Sequence, residues 1–135
     1  MDVIRPMRNF HFYHVALVTP IANALYKCGG SNYTLAADRG VVREMILSVR
    51  ECMRALRKKG LKARPASLAL LICIPLWLIV PKVCKIMGTP HIETVAARHA
   101  QNAREEMGFL YRELMDFIGD SGEKLTYTRE LAEYI

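Results

Sequence analysis

Apolar residues recur along this chain at steps of three and four almost throughout, the spacing of a single buried helix face. No strand-like alternation of useful length interrupts it. From about Phe10 to Lys27, the residues Val15, Val18, Ala22 and Leu25 fall on one face, with Pro20 as a kink. Cys28-Gly29-Gly30 then ends the run, because glycine tolerates the backbone angles of a helix terminus. A second helix is predicted from about Asp38 to Lys59, with Val42, Met45, Ile46, Val49, Met53 and Leu56 inward. Lys58 and Lys59 suit its negative end, and Gly60 is its stop. Pro65 opens a third helix, Pro75 divides it from a fourth, and Gly88 closes that pair. Thr89 and Pro90 read as N-cap and first-turn residue of a long amphipathic helix, 90–118, roughly 43 Å in length. A short helix from about Thr128 to Tyr134 ends the chain. The expectation is an all-α, multi-helix domain over 11–135, preceded by an extension at 1–10.

The long helix carries a polar seam. With Ile92 at zero and about 100° per residue, Val95, Ala96, Ala100, Ala103, Met107 and Leu110 share one arc, which Leu114, Phe117 and Ile118 continue. His99, Asn102, Glu106 and Glu113 lie within that arc or at its border, whereas Thr94 turns outward. The plainer reading is a wet rim, where long side chains reach water past the core. The sharper one makes Glu106 the wall of a cleft, binding a ligand's hydroxyl or cation beside His99 and Asn102.

Composition narrows the class. Of 135 residues, 52% are hydrophobic and 24% charged, which fits one globular domain rather than a disordered chain. The net charge of +6 is unevenly spread. Between Arg39 and Arg64 nine basic residues stand against two acidic ones; between Arg104 and Glu133 four stand against eight. Such segments can face each other, and no nucleic-acid motif accompanies the basic one, so no nucleic acid is expected. Binding to nucleic acid or anionic lipid through Arg43, Arg50, Arg54, Arg57 and Lys58 is the weaker alternative to a solvated helix face. Cys28, Cys52, Cys73 and Cys84, spaced 24, 21 and 11 apart, match no metal or redox pattern and point to a reducing, cytoplasmic setting. The apolar run at 66–81 is short for a membrane span and holds Pro75, so no membrane partner is expected. His11 and His14, one turn apart, are too few for a metal site, and none is expected.

Three stretches together resemble a family. HVALVTPIANALYKCGGSNYTLA, REMILSVRECMRALRKKG and AREEMGFLYRELMDF followed by SG look like the helical half of ketopantoate reductase (2-dehydropantoate 2-reductase)-like proteins, in their order and spacing. That resemblance implies an all-α substrate and dimerisation domain similar to the C-terminal domain of 6-phosphogluconate dehydrogenase. It also implies a small 2-oxo acid substrate and NADP(H) held by a separate Rossmann domain. This chain shows no strand–G-x-G-x-x-G–helix unit, so it is expected to bind no cofactor alone and to need a Rossmann partner for hydride transfer. The family's substrate glutamate falls on Glu106, with Gly122 as the glycine after it, and its serine near Thr94. Its catalytic lysine falls on His14, which can donate a proton to a carbonyl. The two asparagines of the family fall on Val18 and Ala22, with Asn23 adjacent. The competing expectation is a non-catalytic helical homodimer, associating through the apolar run from Leu68 to Val83 that contains Trp77 and Leu78.

Overall fold

The computed structural model describes residues 4–61 and 73–134, with side chains from residue 9 onward. Its elements are α1 (Ile4–Lys27), α2 (Asn32–Ala37), α3 (Arg39–Lys58) and α4 (Leu76–Met87). Then come α5 (Pro90–Ile92), a π-helical segment (Glu93–Ala97), α6 (Arg98–Asn102), α7 (Arg104–Ile118) and α8 (Thr126–Ala132). No strand occurs among the described residues, and the fold is all-α. The helix expected to open at Pro65 lies outside them.

Helix α1 begins earlier than the apolar pattern suggested. Pro6 stands in its first turn, where a missing N–H breaks no helical bond, so much of the expected 1–10 extension is helix. The helix also passes through Pro20 and keeps going for 24 residues in all. Packing holds it: Tyr13, Ala16, Ala24 and Leu25 are buried on different sides of it. Its end is a Schellman turn. Gly30 N–H donates to Leu25 O at 2.7 Å and Gly29 N–H to Tyr26 O at 3.1 Å, with both glycines at positive φ. The same pair of bonds ends α3, where Gly60 has φ +89 and Leu61 N–H donates to Leu56 O at 3.0 Å.

Helix α3 is the second spine. Asp38 caps it, accepting from Val41 N–H at 3.2 Å, and Val42, Met45, Val49, Met53 and Leu56 are buried as expected. Between α1 and its neighbours lie two hydrophobic clusters. Leu25, Leu35, Val42, Met45 and Met107 belong to one; Tyr13, Met53, Leu56, Leu114 and Ile118 belong to the other. Each fully buried Leu or Ile contributes about 1.5–3 kcal/mol of transfer free energy.

Polar latches fix the helix ends. Both amide hydrogens of buried Asn32 are used, on Met87 O at 2.7 Å and Thr89 O at 3.1 Å, which ties α2 to the end of α4. Thr89 caps α5, accepting from Ile92 N–H at 3.4 Å, with Pro90 as its first residue. Helix α8 has no capping side chain of its own. Glu51 on α3 serves instead: its carboxylate accepts from Thr128 N–H at 2.8 Å, Tyr127 N–H at 3.2 Å and Thr128 Oγ1 at 3.0 Å.

The expected single helix over 90–118 is interrupted twice. Its π segment carries Arg98 N–H to Glu93 O, five residues back, which inserts one extra residue into the turn. Ala103 then leaves the helical region altogether, at φ −126 and ψ 36. An extra residue rotates everything after it by about 100°, so an angular count begun at Ile92 misplaces faces downstream. Val95, expected inside, is 52% exposed.

Candidate functional site

The two interruptions frame a cleft of about 380 Å³. Val15, Val18, Ala22 and Leu25 of α1 form one wall; Val95, Ala96 and Ala100 form a second; Met107 and Leu110 of α7 form a third. Four polar side chains stand among these apolar ones: His11, His14, His99 and Glu106. A largely hydrophobic cavity with a few convergent polar groups is the usual form of a small-molecule site. The apolar residues here belong to, or pack against, the main core, so the walls are rigid where the polar residues are exposed.

The break at Ala103 is itself held in place. Tyr26 Oη donates to Ala100 O at 2.6 Å, replacing the N–H that a continuing helix would offer. Burial pushes the Tyr26 phenol up, against the lowering effect of nearby Arg104, so it remains a donor. The Arg104 guanidinium lies over the Tyr26 ring at 4.6 Å and donates to Tyr134 O. Gln101 Nε2 donates to Gly30 O at 2.7 Å, and a Cβ on Gly30 would come within 3.2 Å of the Gln101 side chain. The Cys28-Gly29-Gly30 turn and the helix break are therefore one assembly, placing His99 and Glu106 on successive short helices beside the same cleft.

Each polar group has a distinct situation. His11 Nε2 donates to Glu113 Oε1 at 2.8 Å, joining α1 to α7 across the rim. His14 stacks on Phe10, with ring centroids 6.0 Å apart and planes 5° from parallel. His14, His99 and Glu106 make no hydrogen bond or ion pair with any described residue. Glu106 occupies the first turn of α7, near the positive end of that helix.

Of the residues singled out in the sequence, His14, His99 and Glu106 meet at the cleft; Asn102 and Asn23 do not. Asn102 is exposed at the last position of α6. Asn23 lies nine residues after His14, which turns it to the opposite side of α1 at about 100° per residue. It is 1% exposed there, with its Oδ1 unpartnered, as is buried Thr19 Oγ1 one turn earlier. Thr94 is exposed, donating to Pro90 O at 3.2 Å, as its outward angle implied. Sequence reasoning missed the His11–Glu113 pair and the supporting trio of Tyr26, Gln101 and Arg104. The His11–His14 spacing and the inward angle of Glu113 were visible signals of the first; nothing local announced the second.

Other proposed chemistry finds less support. Among the described residues no group of three side chains is placed to hold a metal ion. They contain no strand-to-helix phosphate cradle, so NADP(H) has no fitting site in them. No helix among them is long and apolar enough to cross a membrane. The basic face of α3 is smaller than its sequence indicated, because Arg50 is buried and donates to Ile74 O. Lys58 pairs with Glu123 at 2.8 Å and Lys59 with Asp120 at 2.9 Å, so basic and acidic segments meet. The four cysteines are unbridged. Compared with known proteins, the chain matches no family model, no curated protein and no solved structure.

Proposed function

We propose that this chain is a helical binding domain that takes one small organic molecule, apolar body inward and polar head outward, in the cleft between α1 and α7. The observation that carries the reading is a cavity of about 380 Å³ with apolar walls and unpaired His14, His99 and Glu106 gathered at it. The volume is at the small end of the range for organic ligands. Hexan-1-ol is a suitable probe. Its titration should shift the isotope-labelled methyl resonances of Val15, Val18 and Val95 and leave those of Leu56 still. Val95→Trp, at an exposed position on the rim, should abolish those shifts in a folded protein. Shifts spread evenly over the surface, or none at all, would sink the reading.

In its reductase-like form, the proposal makes the bound molecule a small 2-oxo acid and His14 the proton donor to its carbonyl, with hydride from NADP(H) on a separate Rossmann polypeptide. Gentle purification from the source cells with intact-mass analysis tests it. Recovery with a dinucleotide-binding polypeptide supports that form, and recovery with copies of itself alone counts against it.

A second reading rests on a different surface. Trp77 is 76% exposed on α4, with exposed Leu78 and Ile86 on the same helix. Isolated large apolar residues need no explanation, but a group on one helix marks an association face. Homodimerisation through it predicts concentration-dependent sedimentation that Trp77→Asp abolishes; a monomer at all concentrations contradicts it.

A further inference from the structure

We propose that the molecule taken by the cleft is a small aliphatic amine in its ammonium form, with its hydrocarbon against the apolar walls and its nitrogen on Glu106. This rests on the cleft being a binding site and adds the sign of the ligand's charge.

Glu106 is the one carboxylate lining the cleft, and no described cation answers it. The basic side chains on the neighbouring helices are committed elsewhere. Arg104 lies over the Tyr26 ring and donates to Tyr134 O. Arg98 faces Glu93 at 3.8 Å. His11 is held by Glu113. An anionic head entering the cleft would therefore meet a like charge, with only the imidazoles of His14 and His99 to offset it. An ammonium meets an opposite charge, and its remaining N–H groups find acceptors in those same imidazoles whenever they are neutral.

Two effects oppose this, and their sizes decide the outcome. The positive end of α7 contributes roughly half a charge spread over its first turn, less than the full charge of the carboxylate. The protein's net charge of +6 repels cations at long range, but such repulsion is screened beyond about 10 Å at moderate salt. Glu106 is exposed, which limits the gain: an exposed pair changes affinity by up to about fivefold, and hydrogen bonds to the charged group can add to this.

Three probes of equal chain length separate the possibilities: hexylamine, hexan-1-ol and hexanoate, titrated at neutral pH and low salt with the Val15, Val18 and Val95 methyls as the readout. The expected order is hexylamine tightest, by about threefold to tenfold over the alcohol, with hexanoate weakest. Glu106→Gln, at an exposed site, should erase the amine's advantage and leave the alcohol unchanged. Raised salt should shrink the advantage in the parent protein. Equal binding of amine and alcohol, preference for hexanoate, or an amine preference that survives Glu106→Gln would each overturn the ammonium assignment while the cleft stands as a site. No cleft shifts with any probe would overturn both.

Discussion

Glu51 and Cys52 are neighbours in sequence with opposite local chemistry. The Glu51 carboxylate gathers three donors at the start of α8, a capping role supplied from another helix because Leu125 cannot provide it. Glu51→Ala should cost about 2–3 kcal/mol in urea unfolding, since it leaves buried donors unpaired, and Glu51→Gln should cost less. The Cys52 thiol, wholly buried, is pushed up to about 12 from its ordinary 9.0. The folded protein therefore keeps a proton that the unfolded chain sheds, and stability falls as pH rises from about 9 toward 12. Cys52→Ala should flatten that alkaline loss in pH-dependent melts. Cys73, which is exposed, should react with a thiol reagent in the native state, and Cys52 only on unfolding. The sequence placed Cys52 in an apolar setting correctly, but Glu51 looked like one charge among many. A side chain's tertiary acceptor role cannot be inferred from its own helix.

At the scale of elements, α3 was legible almost to the residue and the 90–118 run was not. The α3 signals agree with one another: an Asp cap, an apolar stripe, lysines at the end and a glycine stop. The later run has a clear start at Thr89-Pro90 and good helix formers throughout, so local preference favours continuity. What breaks it is distant, namely the Tyr26 hydroxyl on Ala100 O and the approach of Gln101 to Gly30. Tyr26→Phe should thus cost about 1 kcal/mol and weaken cleft binding, because the break loses the group that satisfies it. Gly30→Ala combines φ +84 with a tight approach to Gln101 and should cost about 1–2 kcal/mol. Thermal melts paired with the methyl-shift titration read both effects. Either variant melting like the parent would show that the break does not depend on these contacts. The cleft was half visible for the same reason: Glu106 and His99 could be assigned to an inward border, but Asn102 and Asn23 could be excluded only with the true rotation of each helix.

The whole molecule is organised around α1. It borders both hydrophobic clusters, forms a wall of the cleft and reaches α7 through His11 and Glu113. The opposed charge of the two chain regions appears as Lys58–Glu123 and Lys59–Asp120, surface pairs worth about 0–1 kcal/mol each. High salt should accordingly lower the melting temperature only slightly; a large drop would mean that charge rather than packing holds these regions together. Leu56→Ala, in the buried stripe of α3, should cost about 2–5 kcal/mol by comparison.

The placement of Trp77 has an optical consequence. It is the chain's single tryptophan, largely in water on α4, and it is not among the residues that line the cleft. Intrinsic indole emission will therefore sense whatever covers α4 and stay silent when a colourless molecule enters between α1 and α7. A fluorescence screen of the native protein would return assembly partners and miss every ligand. A reporter indole at Val95 would reverse that preference, at the expense of the space it is meant to watch.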